Sequence, residues 1–184
     1  MLNLSDFILK PAYFDHDSKL HGITHTYRVM AFTYMLGNRL NLSKNRDLAF
    51  MAAFIHDMSR KHDGFCTNHG KWAAKNKLPV FKDLFIKNGA TPEDLNEIAY
   101  AVHYHSRMTQ PGKNNPFYHT LALLKDADAL DRIRISPYNL NPRMLRFSES
   151  RSMIKIAEQL YYYSLSVTSP TLNHFLEKLE CFHQ

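Results

Sequence analysis

Three observations predict an all-α chain of about six to eight helices. Apolar residues recur at three- and four-residue steps over long stretches. Glycine is scarce, with 6 in 184 residues. The two-residue alternation of strands is nowhere convincing.

The elements follow in order. From His21, the residues His25, Val29, Phe32, Leu36 and Leu40 step along one helix face. Leu48 to Ile55, LAFMAAFI, is apolar almost throughout and predicts a short central helix buried on every side. Asn68 is placed to cap a helix running to Lys77 and stopped by Pro79. Thr91-Pro92-Glu93-Asp94 combines a capping hydroxyl, an early proline and first-turn acids, so a helix starts there. It runs to about His105, with Leu95, Ile98, Val102 and His105 on one stripe and His103 on another face. The loop-like TQPGKNNP follows. Further helices are expected from Phe117 to about Arg134, near Ser150–Leu165 and near Pro170–Phe182.

This length supports one full hydrophobic core, so one domain is expected over residues 1–184. Its motif-bearing core spans about 17–134, covered by C-terminal helices at 142–184. The content of 45% hydrophobic and 22% charged residues excludes a disordered chain. The absence of an 18-residue apolar run argues against a membrane span. The start MLNLSDFILKPAYFDHD lacks the pattern of a secretory signal. Cys66 and Cys181 fall in no paired spacing, which fits a reducing cytoplasm. The net charge of +6 favours an anionic partner. Because the cations are scattered in ones and twos, a phosphorylated small molecule is favoured over nucleic acid.

Four side chains point to a metal. His25 heads the stripe of the first long helix, with His21 one turn earlier as a rival. The adjacent pair His56-Asp57 ends the all-apolar helix, where burying two polar groups is costly unless something binds them. A divalent cation would satisfy imidazole and carboxylate together. Asp128 lies among Leu124, Ala127, Ala129 and Leu130, so its carboxylate is expected to enter the core. The competing arrangement is an ion pair within the helix to Arg132 or Lys125, and Asp126 and Asp131 suit such surface pairing better. His69 and His105 are candidates to extend the site.

The stretches HGITHTYRV, FIHDMSRK and LKDADALDR resemble the HD-domain metal-dependent phosphohydrolases. The resemblance covers roughly Asp17 to Arg134. It implies an HD-type helical bundle with a central metal site, and metal ligands at His25, His56, Asp57 and Asp128. His69 and His105 would bind a second metal or a substrate phosphate. The cofactor would be one or two divalent ions, with Mn, Mg, Co, Ni or Fe all suitable. The implied reaction is metal-activated attack of water on phosphorus in a phosphorylated small molecule, a nucleotide above all, by a phosphatase or pyrophosphohydrolase.

Asp57 or Asp128 would orient the water. Lys125 and Arg132 are the first choices to neutralise the transferring phosphoryl group, ahead of Lys61. Arg28 and Arg60 suit a bracing role. After D-A-D-x-L-D the chain reads DRIRISPYNL where relatives often carry glycine, so the substrate loops are expected to differ. His105 precedes no second histidine or G-Y-P segment, which disfavours a cyclic dinucleotide phosphodiesterase. Three alternatives stand beside this reading: a di-iron oxygenase of the same fold, a non-catalytic nucleotide-binding module, and a purely structural helical protein. The last two helices either close the fold or form a homodimer surface.

Overall fold

The computed structural model describes residues 2–109, 112–136 and 138–182. Among these residues the chain forms nine α-helices and no strand. They are α1 (Ile23–Arg39), α2 (Ser43–Ile55), α3 (His69–Asn76), α4 (Leu78–Lys87), α5 (Asp94–His105), α6 (Tyr118–Leu130), α7 (Ser148–Ser152), α8 (Ile154–Ser164) and α9 (Leu172–Cys181). The all-α class is as expected, with more helices than expected for two local reasons. Pro79 stands in the first turn of α4, where its missing N–H has no helical partner to lose, so it opens a helix as well as ending one. The helix expected from Ser150 is two, α7 and α8, meeting at Met153.

Other boundaries follow from capping. α1 starts after Gly22, so His21 precedes the helix instead of sharing its face. Asn68 holds the cap position of α3 but makes no side-chain cap bond. At α5 the Thr91 hydroxyl accepts from the Asp94 N–H at 3.2 Å, and Asp94 accepts from the Thr91 N–H at 2.7 Å, closing the expected cap. Gly89, just past the C-cap Asn88 of α4, has a φ of 96° that suits glycine. Gln110 and Pro111 of the loop expected after α5 lie outside the described residues.

α2 is the central element. Every residue from Leu48 to Ile55 is buried, as its apolar run predicts, and the helix packs against α1, α5 and α6. α1 also packs on α6 and α9, while α3 lies along α5. At one end of the bundle Phe7 meets Phe50 and Phe54 edge-on, with ring centroids 5.0 and 5.4 Å apart.

The contact of α3 with α5 depends on Gly70. A Cβ there would stand 2.4 Å from the Val102 carbonyl oxygen and 3.0 Å from the His105 ring. Gly70→Ala is therefore expected to push α3 off α5 and destabilise the chain by about 1–3 kcal/mol. A denaturant melt checks this, and an unchanged midpoint would contradict it.

Candidate metal centre

α2 ends in the site. Its C-cap is His56, and Asp57 follows in the turn, so the break in the helix lets two adjacent side chains converge. α1 supplies His25, α3 His69, α5 His105 and α6 Asp128. His25, His56, Asp57, His69 and His105 are all buried, with 0% exposure at His56 and 4% at Asp57. Asp128 is the open member, with 28% of its side chain exposed.

The geometry centres on Asp57. Its Oδ2 lies 3.4 Å from His25 Nε2 and 3.7 Å from His56 Nε2. Its Oδ1 lies 3.0 Å from His69 Nε2 and 3.6 Å from His105 Nε2. His25 Nε2 is also 3.5 Å from Asp128 Oδ1. One carboxylate thus faces two histidine pairs, one with each oxygen.

The proton positions test whether this set fits a cation. His56, His69 and His105 each place Nδ1 against a backbone carbonyl, of Ala53 at 2.7 Å, Cys66 at 2.8 Å and Val102 at 2.6 Å. A carbonyl only accepts, so these Nδ1 atoms carry the proton. His25 Nδ1 meets the Asp131 carboxylate at 2.7 Å, to the same effect. In the neutral rings all four Nε2 atoms therefore present lone pairs. Yet His25 and His56 bring theirs within 3.2 Å of each other, and His69 and His105 within 3.0 Å. Lone pairs facing each other beside a carboxylate make an electron-rich centre that a divalent cation satisfies.

A second layer holds these side chains. Arg28 makes a bidentate contact to Asp131, at 2.6 and 2.9 Å, and Asp131 in turn orients His25. Asp131 is 1% exposed, so its expected surface pairing is corrected: α6 passes there into a 3-10 turn that aims the carboxylate inward. Asp126 is likewise fully buried, bonded to Arg146 and Ser150. Asp128 conversely opens to a cavity instead of entering the core, and it pairs with neither Arg132 nor Lys125 among the described ion pairs. His21 Nδ1 lies 3.0 Å from Asp57 Oδ2 and 3.0 Å from Arg134 Nη2. Arg60 Nε stands 3.2 Å from Asp57 Oδ2, out of line for a hydrogen bond. Lys61 pairs with Asp15.

Arg134 is a site residue that sequence spacing missed, because it follows the end of α6 where helical angles no longer apply. His103, excluded by periodicity, stacks on Tyr104.

The electrostatics agree with the geometry. Burial brings His56 down to about 3 and lowers His21 and His69. At Asp57 burial opposes the charge, but His56 and the surrounding histidines hold it well below the carboxylate range. Burial likewise opposes Asp128, and His25 with Arg134 outweighs it, bringing it to about 2. Asp131 is lowered by Arg28 and His25 against its burial.

Acidification of the metal-free chain should therefore destabilise it in two stages. Burial makes His56, His21 and His69 bind protons less readily in the folded chain than in the unfolded one, so they take up protons on unfolding. Their contribution is present above about pH 6.5 and is lost as the pH falls below it. The carboxylates stay charged when folded, and their contribution is lost below about pH 4. Denaturant midpoints from about pH 8 to about pH 2 check this, and a flat profile between about pH 7 and 5 would contradict it.

Fold and site together define an all-helical protein built around a buried cluster of histidines and aspartates with the donor atoms to hold a cation. The HD domain family model matches residues 22–133, more than half of the chain, and the chain belongs to the HD-domain family. All six clustered residues fall within the match. The crystal structure of a predicted HD superfamily hydrolase from an uncultured Thermotogales bacterium has a similar fold. Its TM-score is 0.57 at 23% identity, covering 88% of this chain and 86% of that one. No curated protein matches the sequence. Among the described residues, no helix is long and apolar enough to cross a membrane.

Proposed function

We propose that the chain hydrolyses a phosphorylated small molecule of nucleotide type, with His25, His56, Asp57 and Asp128 holding a divalent cation. His69 and His105, on the other oxygen of Asp57, take a second cation or a substrate phosphate. The observation that carries this reading is a cavity of about 560 Å³ opening onto Asp57, His69, His105 and Asp128. Its size suits one small ligand. Cations dominate its charged wall: Arg60, Arg107, Arg132, Arg134 and Arg146 stand there with Lys125, against Asp57, Asp63 and Asp128. Phe65 and Met108, 88% and 78% exposed, add apolar surface to the same cavity, a feature that favours a phosphoester with a planar body.

A divalent cation in such a cluster lowers the pKa of bound water and polarises a phosphoryl oxygen. The chain's own groups do the rest. Asp128, the more exposed of the two carboxylates, accepts a hydrogen bond from the attacking water and aligns it. Arg60 and Arg134, which flank Asp57 and His21, neutralise charge developing on the phosphoryl group. Arg132, bonded to Asn139 at the cavity wall, meets a more distal part of the substrate.

A phosphate and pyrophosphate release screen tests the proposal. It covers nucleoside mono-, di- and triphosphates and a generic phosphodiester, each with Mn²⁺, Mg²⁺, Co²⁺ or Ni²⁺. Metal-dependent release supports it and names the bond cleaved. No release from any substrate, with iron tightly bound in the same preparation, would overturn it in favour of oxygen chemistry.

A further inference from the structure

Lys125 and Asp126 are neighbours on α6, three and two residues before Asp128, and each reaches backbone atoms of a different segment that lines the cavity. Lys125 Nζ donates to the carbonyl oxygens of Arg107 at 2.5 Å, Tyr104 at 3.3 Å and Thr109 at 3.4 Å. It thereby closes the C-terminal end of α5, where carbonyls lack helical partners and the helix dipole favours a cation. The same turn carries His105 into the metal cluster and Arg107 and Met108 into the cavity wall. Burial and the nearby Arg146 bring Lys125 down to about 8, in keeping with an ammonium withdrawn from water.

Asp126 secures another wall. Its Oδ2 accepts from the backbone N–H groups of Arg146 at 2.8 Å and Phe147 at 3.1 Å, and from the Ser150 hydroxyl at 2.7 Å. Its Oδ1 accepts from Arg146 Nη1 at 2.8 Å. This holds in place the segment that puts Met144 and Arg146 into the cavity lining, a segment beyond residue 133 where the family match ends.

We propose that Lys125 and Asp126 are positioning residues: together they fix two walls of the cavity and so determine which phosphorylated molecules it admits. Residues 106–109 and 145–147 lie between helices, and the backbone groups there would otherwise pair with water and lose a fixed position. Lys125 is then not a group that meets the transferring phosphoryl, the role expected of it from its place beside Asp128. The kinetic part of the proposal rests on the phosphohydrolase reading; the structural part does not.

Amide hydrogen exchange on the full chain separates the two. In Lys125→Met, exchange should rise about tenfold or more at residues 104–109 and stay unchanged at 142–150. Asp126→Asn should give the reverse pattern, and Lys125→Arg, which keeps a donor, should recover part of the protection. If the native protein turns over a nucleotide, Lys125→Met should raise KM about tenfold with a smaller change in kcat. A fall in kcat at constant KM, or exchange unchanged in both segments, would overturn the proposal. A native protein inactive on every phosphorylated substrate would instead sink the phosphohydrolase reading, while the exchange pattern still decides the positioning role. Thermal melts of the variants distinguish local loosening from global unfolding.

Discussion

Asp57→Ala is expected to remove metal-dependent turnover, lowering kcat/KM by on the order of 10³-fold or more, and to leave the purified protein without stoichiometric metal. Among the described residues Asp57 is the group whose two oxygens face both histidine pairs, at 3.0–3.7 Å. Asp128 lies beside the His25–His56 pair, 3.5 Å from His25, and is not grouped with His69 or His105, so among the described residues it does not replace Asp57 between the two pairs. Metal analysis beside phosphate release checks the prediction. Turnover within tenfold of the native rate, or full metal content, would contradict it.

Asp131→Ala is expected to damage both stability and metal binding. The substitution leaves the Arg28 guanidinium, 4% exposed, without its acid partner. Breaking a buried pair in this way costs about 3–5 kcal/mol. Arg28 also donates to Ser164 at 2.8 Å and lies over the Tyr161 ring, so α8 loses an attachment to α1. His25 loses the acceptor that fixes its tautomer, and loss of such an outer partner lowers metal affinity roughly 10–100-fold. Denaturant melts and a Mn²⁺ titration measure the two effects. A stability loss below about 1 kcal/mol, with native affinity, would show the Arg28–Asp131–His25 chain to be incidental.

The sequence was most legible where one physical rule acted alone. The unbroken LAFMAAFI run named the buried central helix, and the stripe through Ile98, Val102 and His105 chose His105 over His103. The bringing together of His25, His56, Asp57 and Asp128 needed more: the motifs had to be read jointly, since each residue alone has an ordinary explanation. Reading failed where that single rule met several neighbours at once. Periodicity along α6 sent Asp126 and Asp131 outward, but α6 is enclosed by α1, α2, α5 and the segment around α7, so its apparent outer face is also packed. Lys125 sits near Asp128 in sequence, yet its long stem carries the charge to the end of α5. Such long-range partners, like those of Arg134, leave no local signal in the chain.

Catalysis by a cation held in this cluster is what the proposed function requires. Its most direct test is the rate of phosphate release after chelation and after stepwise return of Mn²⁺, with bound metal quantified at each step. The expected result is loss of activity on chelation and recovery in proportion to metal bound. Full turnover by protein in which no metal is found would contradict it.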